Sequence, residues 1–324
     1  MILHILILLS GFAALIKGAD FFVDGSADLA RIFRIPGLVI GLTIVAMGTS
    51  APELAVSVSA AVEGSNEIAL SNVVGSNIFN LLVVLGFCAL FHPVPVERVT
   101  IWRDCLVSLA VTACLLVGLL LQGQVSLNVF RGNLSVQAGA VTRIMGLLLM
   151  LFFALYMYSL VAKAMHEPGE DVAEDVRPIW QCFLLIAAGA ILIVVGGKAV
   201  VAGVREIALF LGMSETLVGL TIVAVGTSLP ELVTSVVAAR KGETGMAVGN
   251  VVGSNIFNMM FILGISASLH PVEVIAASLM DLGILIVATM ITMYFALSER
   301  KISRMEGSGM LLLYTAYLAY IIVR

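Results

Sequence analysis

Two glutamates stand in apolar stretches of this sequence, and each follows a Gly-Thr-Ser group and a proline. Glu53 lies within GLTIVAMGTSAPELAVSVSA, and Glu231 lies within GLTIVAVGTSLPELVTSVVA. A carboxylate and a helix-breaking proline are both unfavourable in an apolar helix, so their joint presence needs a chemical reason. Hard cations bind carboxylate, hydroxyl and carbonyl oxygens, and this motif brings all three together. The pattern therefore predicts a cation site built on the two glutamates.

The proline of each motif is expected to release backbone oxygens. Proline has no N–H, and its ring clashes with the carbonyl four residues earlier, which belongs to Gly48 for Pro52 and to Gly226 for Pro230. A freed carbonyl is unfavourable in lipid unless it faces a cavity or a ligand. The carbonyls expected to leave the helical ladder are those of residues 46–49 and 224–227. The backbone or hydroxyl oxygens expected to join the glutamates belong to Thr49, Ser50, Thr227 and Ser228.

A second motif, NVVGSNIFN, also occurs twice, at 72–80 and at 250–258. In each copy a serine and an asparagine four residues later share one helical face, where they offer neutral oxygens to the same site. A glycine beside each serine is expected to let helices approach closely. The residues concerned are Gly75, Ser76 and Asn80 in the first copy, and Gly253, Ser254 and Asn258 in the second.

All of these residues recur at one fixed offset of 178 positions. Held without a gap between 41–93 and 219–271, the alignment matches identical residues at 32 of 53 positions. This indicates a duplicated five-helix unit, over 1–163 and 180–324, joined by a short acidic cytoplasmic linker at 164–179. Because five is odd, the second copy must enter a membrane upside down relative to the first. Inverted repeats of this kind place a ligand site at their interface, near the midplane.

Composition indicates an integral membrane protein. The 324 residues are 60% hydrophobic and 12% charged, with a mean hydropathy of +1.12. Soluble domains carry about 25% charged residues. Ten apolar runs are long enough to cross a bilayer as helices, at approximately 2–22, 37–61, 69–91, 105–122, 140–163, 180–201, 215–239, 246–268, 280–297 and 308–323. The predicted fold is an all-α integral membrane protein, with ten transmembrane helices in two inverted-topology five-helix repeats.

The positions of lysine and arginine predict the orientation. With the N-terminus outside, twelve of the 17 basic residues lie on the inner side, which favours both termini outside and a cytoplasmic linker. The first apolar run has no basic segment before it and no small-residue cleavage site after it, so it is interpreted as a helix and not as a signal peptide. The compact sequence without targeting features favours a prokaryotic inner membrane.

Other classes of function are not indicated by the sequence. It contains no HExxH and no paired-aspartate motif, so an enzyme is not expected, and no cofactor is expected beyond transported ions. No basic, aromatic-rich patch indicates nucleic acid, and no obligate protein partner is predicted. The four cysteines have no CxxC spacing and are expected to pack as small buried residues. The remaining partners are the lipid bilayer and the cations.

The motifs GTSAPEL, GTSLPEL and the two GSNIFN segments resemble the paired α-repeats of the cation/Ca²⁺ exchanger superfamily. Within it they are most similar to the prokaryotic type of its sodium/calcium exchanger branch. The ten-helix layout and the linker position extend the resemblance over the whole chain. It implies that Ca²⁺ lies between Glu53 and Glu231, and that the backbone carbonyls of Thr49 and Thr227 join it.

The resemblance further implies two flanking sodium sites, a central polar pair and a moving gate. One sodium site consists of Ala46, Ser50 and Ser254 with Glu53. The other consists of Ala224, Ser228 and Ser76 with Glu231. The polar pair is Asn80 and Asn258, and the family's sliding first and sixth helices correspond to Leu3–Phe22 and Gln181–Val201.

One position departs from the archaeal-type exchangers, which carry an aspartate where this chain has Asn258. The site then holds two carboxylates, a pattern shared by some bacterial and mitochondrial-type members. One Ca²⁺ or two Na⁺ would neutralise two negative charges equally, and exchange would be electroneutral. A third Na⁺ bound by neutral ligands would make exchange carry net charge.

The expected function is secondary active antiport, in which inward Na⁺ drives Ca²⁺ outward by alternating access at one shared site. Ca²⁺/H⁺ antiport is the first alternative, because desolvation favours the protonated form of a buried carboxylate. K⁺-coupled cation/Ca²⁺ exchange is another alternative of the same class. A passive channel would show uncoupled flux, and the inverted symmetry favours two-sided access over an open pore.

Overall fold

The structure is a computed structural model that describes residues 2–63, 66–98, 100–122, 137–166, 176–212 and 224–323. Nearly all of this is helix. In chain order the helices are α1 (Ile2–Ile32), α2 (Gly37–Thr49), α3 (Ala51–Val62), α4 (Ile68–Phe91), α5 (Thr100–Leu121), α6 (Arg143–His166), α7 (Ile179–Phe210), α8 (Ala224–Gly226), α9 (Leu229–Arg240), α10 (Thr244–Leu269), α11 (Ala276–Ser298) and α12 (Arg304–Val323). The predicted all-α class is confirmed.

Eight of the helices are long and apolar enough to cross a membrane, and the bent pair of α2 and α3 raises this to nine within the described ranges. Each of these spans corresponds to one predicted apolar run. The predicted run 215–239 falls partly on residues 213–223, which lie outside the described residues, and its remainder forms α8 and α9. The chain is a multi-pass membrane protein.

Helices α1 and α7 are longer than the sequence predicted, with 31 and 32 residues. They pack antiparallel. A side chain built on Gly11, early in α1, would meet Val200, late in α7, and one built on Gly25 would meet Cys182, early in α7. Glycines recur every seven residues along the contact, and a Cβ atom on Gly18 would lie 2.8 Å from the backbone nitrogen of Ile193. The two backbones therefore touch along a glycine seam, which consists of Gly11, Gly18 and Gly25 in α1 and Gly189, Gly196 and Gly203 in α7.

The centre of the molecule is occupied by α4 and α10, which are largely buried, whereas α1, α6, α7 and α12 are mostly exposed. Each central helix contains a π-helical segment, at Asn80–Val84 in α4 and at Phe257–Ile262 in α10. Segments of this kind are frequent at functional sites. Equivalent parts of the two sequence copies thus deviate from α-helical geometry at the same place.

Four short strands join the two copies: β1 (Val94–Pro95), β2 (Gln137–Val141), β3 (Val272–Ile275) and β4 (Lys301–Ile302). The antiparallel pairs are β1 with β4 and β2 with β3, so each pair crosses between copies. Strands β1 and β3 follow a His-Pro dipeptide. Proline keeps the preceding residue out of the helical region, and His92 and His270 are accordingly extended, with φ of −146° and −143°. The sequence did not predict these strands.

The prediction about close helix approach holds for one glycine of the pair. A Cβ atom on Gly253 would lie 2.7 Å from the Cα atom of Leu42, so this glycine is required for α10 to contact α2. Among the described residues, nothing lies within 4 Å of a Cβ atom built on Gly75. The residues of the second copy equivalent to Leu42 fall within 213–223, outside the described residues, so the expectation for Gly75 stays a prediction.

Candidate cation-binding site

Both Gly-Thr-Ser-x-Pro-Glu motifs lie where a helix is interrupted. Helices α2 and α3 meet at Ser50 with a bend of 50°. Ser50 has φ −82° and ψ 10°, and the equivalent Ser228, before α9, has φ −92° and ψ 6°. The proline then occupies the first turn of the following helix, where its missing N–H is harmless. The break that the sequence predicted from the prolines is therefore present in both copies.

Glu53 and Glu231 lie in the first turns of α3 and α9 and are fully buried. A helix N-terminus carries partial positive charge, which favours a carboxylate at this position. No third Asp, Glu, His or Cys joins the glutamates in a metal-binding group among the described residues. Within the described ranges, the site therefore has two carboxylates.

Each glutamate is held by a serine of the opposite copy. Ser50 Oγ donates a hydrogen bond of 2.7 Å to Oε1 of Glu231, and Ser228 Oγ donates one of 2.9 Å to Oε1 of Glu53. Ser76 Oγ lies 3.4 Å from the same oxygen of Glu53 and 3.0 Å from Oγ of Ser228. The structure thus brings the two breaks and α4 together at one buried site.

These contacts pair the residues differently from the sodium groups that the resemblance implies, and those groups stay a prediction. Ser228 and Ser76 do lie together, but their carboxylate is Glu53 and not Glu231. Ser50 contacts Glu231 and not the glutamate of its own helix. Each serine ends one helix segment and contacts the glutamate of the other copy across the interface.

Most of the buried oxygens that lack a hydrogen-bond partner belong to the predicted site. Within the described part of the chain, ten buried side-chain polar atoms make no hydrogen bond, and six of them are oxygens of predicted site residues: Oε2 of Glu53 and Glu231, Oδ1 of Asn80 and Asn258, Oγ of Ser254 and Oγ1 of Thr227. An unsatisfied buried polar atom costs about 1–3 kcal/mol. A bound cation would satisfy such oxygens together, and the donor set of carboxylate, amide and hydroxyl oxygens suits a hard cation.

The remaining predicted residues are less directly involved. The hydroxyl of Thr49 donates a 3.0 Å hydrogen bond to Oδ1 of Asn250, across the interface between the copies. The carbonyl of Ala46 accepts a 3.0 Å hydrogen bond from the backbone N–H of Ser50, which corrects the expectation that it leaves the helical ladder. The helix continues to Thr49 and breaks only at Ser50. Ala224 begins α8, and its side chain lies outside the described residues.

Two kinds of residue at the site were missed by the sequence reasoning. Asn77 and Asn255 contact the predicted Asn258 and Asn80 across the interface. Asn72 and Asn250 each donate to a serine of their own copy, Ser57 at 3.0 Å and Ser235 at 2.9 Å. The residues that were missed form three pairs that are identical between the copies at the offset of 178: Ser57 with Ser235, Asn72 with Asn250, and Asn77 with Asn255. Polar identity between the copies was therefore the signal that could have identified them.

Buried oxygens from two equivalent copies meet inside a bundle of membrane-spanning helices. This is the architecture of transporters built from internal repeats, which bind their substrate where the repeats meet. The fold with its internal repeat is that of a multi-pass membrane transporter.

Comparison with known proteins identifies the family. A sequence model described as "Sodium/calcium exchanger protein" matches residues 3–162 and 182–323. The putative antiporter CaxA of Alkalimonas amylolytica is 37% identical over 98% of each chain, and sodium/calcium exchanger MaX1 of Methanosarcina acetivorans is 32% identical over 97% of each. A solved structure of the sodium-calcium exchanger NCX_Mj, soaked with Na⁺ and Ca²⁺, matches with a TM-score of 0.82 at 30% identity and 98% coverage of both chains. The chain belongs to the sodium/calcium exchanger family.

Proposed function

We propose that this protein is a secondary active antiporter that exchanges Na⁺ for Ca²⁺ at the site between Glu53 and Glu231. The observation that carries the proposal is the set of six buried, unpartnered oxygens, measured among the described residues, that come from both copies. Ca²⁺ takes six to eight oxygen ligands, commonly carboxylates, carbonyls and neutral side chains. The names of MaX1 and NCX_Mj, both sodium/calcium exchangers, support the same pair of ions.

Exchange follows from the charge of the site. Two buried carboxylates without a cation repel each other and are poorly accommodated in a low-dielectric interior. An empty site therefore resists the conformational change that exposes it to the other side of the membrane. Ca²⁺ and Na⁺ compete for the same glutamates, so the conformational change takes place with one or the other ion bound in turn. This coupling makes the protein an exchanger instead of a leak.

The moving part is assigned to α1 and α7, whose glycine seam joins them into one body. Their closest contacts with each other are far more extensive than their contacts with the central helices. The pair includes the segments Leu3–Phe22 and Gln181–Val201, which the family resemblance implies as the gate. We assign the site to the two helix breaks before α3 and α9 together with the central helices, and access to it to displacement of this pair.

The proposed location is the cell membrane, with both termini outside and the linker 164–179 in the cytoplasm. The bias of twelve of 17 basic residues toward the inner side supports this orientation. We also assign 1–163 and 180–324 as the two inverted repeats, in keeping with the two segments that the family model matches. A reporter fused to the C-terminus that is active only outside the cytoplasm tests the orientation.

The test is ⁴⁵Ca²⁺ uptake into liposomes that contain the purified protein. Uptake is expected from Na⁺-loaded liposomes and is expected to be absent from K⁺-loaded and acid-loaded ones. Glu231→Gln and Glu53→Gln should abolish uptake without loss of folded protein, because each removes one of the two charges. The matched control is Glu63→Gln, the same change at an exposed residue at the end of α3.

Other results of this uptake assay would indicate a different transport mechanism. Uptake driven by an acid interior without Na⁺ would make it a Ca²⁺/H⁺ antiporter at the same site. A requirement for internal K⁺ in addition to Na⁺ would make it a K⁺-coupled exchanger. Flux that needs no counter-ion would indicate a channel. Wild-type flux in Glu231→Gln would remove the site assignment itself.

A further inference from the structure

Asn77 and Asn255 close a ring of reciprocal hydrogen bonds between the two central helices, and Asn258 and Asn80 each donate one hydrogen bond to it. Asn77 Nδ2 donates to the backbone carbonyl of Asn255 at 3.1 Å, and Asn255 Nδ2 donates back to the carbonyl of Asn77 at 3.3 Å. Asn258 Nδ2 donates to Asn77 Oδ1 at 3.0 Å, and Asn80 Nδ2 donates to Asn255 Oδ1 at 3.2 Å. All four side chains are buried, and the ring repeats itself across the interface between the copies.

The partners of the ring leave only one orientation for each side-chain amide. A backbone carbonyl can only accept, so the NH₂ group of Asn77 must face the carbonyl of Asn255. The Oδ1 atom of Asn77 therefore faces Asn258, which must donate a hydrogen bond to it from its own NH₂ group. The same reasoning, with the copies exchanged, fixes Asn255 and then Asn80. The direction of all four amides thus follows from two main-chain oxygens.

The consequence is that Asn80 and Asn258 turn their oxygens away from the ring. Within the described residues these two Oδ1 atoms are buried and accept no hydrogen bond. Asn80 lies one helical turn after Ser76, whose hydroxyl contacts Glu53, so its free oxygen belongs on the site-facing side of α4. An amide in the opposite orientation would direct N–H hydrogens at a cation and repel it.

The geometry points to Asn77 and Asn255 as positioning residues that hold Asn80 and Asn258 with their amide oxygens, and not their N–H groups, toward the cation. This inference rests on the proposed function, because it requires a cation at the site. The side-chain nitrogen and oxygen of Asn77 and of Asn255 already have partners within this group of asparagines, unlike the oxygens of Asn80 and Asn258. Asn77 and Asn255 act only through their neighbours.

A purely structural ring would not need this arrangement. Apolar residues at 77, 80, 255 and 258 would pack α4 against α10 and would leave no side-chain oxygen unsatisfied at these positions. The ring instead keeps two buried oxygens without a protein partner, each at a cost of about 1–3 kcal/mol. Binding of a cation offsets that cost, which ties the ring to the ion and not only to helix packing.

The test is a double-mutant cycle on Ca²⁺ affinity, measured by calorimetry or by Ca²⁺-dependent thermal stabilisation of the purified protein without any Na⁺, K⁺ or proton gradient. Asn77→Leu and Asn258→Leu should each weaken Ca²⁺ binding by about tenfold or more. The double variant should lose no more than Asn258→Leu alone, because Asn77 acts only through Asn258. Asn255 with Asn80 gives the second, independent cycle.

The control is Gln122→Leu. Gln122 is another side-chain amide bonded to main chain, at 2.8 and 2.9 Å from Ala140, but it lies between α5 and β2. It should lower the melting temperature and leave the Ca²⁺ affinity unchanged. If Asn77→Leu does not fold, Asn77→Ala, which adds no volume, takes its place in the cycle.

Two results would overturn the inference. One is a lower melting temperature with wild-type Ca²⁺ affinity in both Asn77→Leu and Asn255→Leu, which is the behaviour of a structural ring. The other is a double variant whose loss is the product of the single losses, which means that Asn77 acts independently of Asn258. Glu231→Gln is measured alongside. If Glu231→Gln retains Ca²⁺ binding, the proposed site is wrong. If Glu231→Gln loses Ca²⁺ binding while Asn77→Leu keeps wild-type Ca²⁺ affinity, only the positioning role of Asn77 is contradicted.

Discussion

Ser50 and Glu231 belong to different copies of the duplicated unit, and yet the hydroxyl of Ser50 lies 2.7 Å from the carboxylate of Glu231. Ser228 makes the equivalent contact with Glu53 at 2.9 Å. Neither copy can therefore complete a glutamate site by itself. The site exists only where the two helix breaks face each other.

The serine–glutamate contacts predict the effect of removing a hydroxyl. Ser50→Ala should raise the KM for both Ca²⁺ and Na⁺ by about tenfold, because a hydrogen bond to a charged group contributes roughly 1.5–3 kcal/mol. Ser76→Ala should have a smaller effect, since Glu53 keeps Ser228 at the shorter distance. Transport assays in liposomes measure both. Ser10→Ala, an exposed serine on α1, is the control, and equal effects at all three positions would contradict the prediction.

The charge of the site predicts the electrical character of exchange. With two carboxylates and Asn258 in place of a third, one Ca²⁺ or two Na⁺ neutralise the site. Ca²⁺ uptake should therefore be independent of a membrane potential imposed with K⁺ and valinomycin. Liposome uptake at several imposed potentials tests this directly. Uptake that accelerates with an inside-negative or inside-positive potential would mean that an additional Na⁺ binds to neutral ligands.

The glycine seam predicts a stability difference between two glycine substitutions. A Cβ atom on Gly189 would lie 2.6 Å from the backbone nitrogen of Phe22, so Gly189→Ala must push α1 away from α7. Overpacking of this kind costs about 1–3 kcal/mol. Gly283→Ala, in α11, has open space within 4 Å and should leave stability unchanged or slightly increased. Thermal unfolding in detergent compares them, and similar melting temperatures for the two would rule out a close seam.

An ion-pair cluster at the end of α1 predicts that Arg177, two residues before α7, stabilises the protein. The carboxylate of Asp28 is almost fully buried and lies 2.6 Å from Arg177 and 3.2 Å from Arg31. Arg177→Ala should destabilise the protein by about 1–3 kcal/mol, because a buried carboxylate loses one charge-assisted hydrogen bond. Lys301→Ala removes an exposed pair with Glu299 and should have almost no effect. Thermal melting in detergent is again the measurement, and equal stability of the two variants would contradict it.

The doubled motif makes the principal site residues predictable from the amino-acid sequence alone. Glu53, Ser50, Ser76 and Asn80 recur at one offset with their counterparts, and polar residues in apolar helices are few enough to stand out. The fold class follows from composition and from the number of apolar runs. The helix breaks follow from the prolines, since proline acts on the four residues before it in any context.

Contacts between the copies could not be predicted from the sequence. Which serine faces which glutamate depends on how two helix breaks meet in space, and the hydrogen bonds join each serine to the glutamate of the other copy. Asn77 and Asn255 were missed because their role depends on main-chain oxygens of the other copy. The strands β1 and β4 have two residues each, too few to produce a periodic pattern.

The length of α1 and α7 has a consequence for movement. A helix of 31 residues is about 46 Å long at 1.5 Å per residue, whereas the hydrocarbon core is about 30 Å thick. The pair therefore has about 16 Å of overhang to divide between the two aqueous sides. The pair can move by a full helical turn along the membrane normal and still span the whole hydrocarbon core as continuous helix.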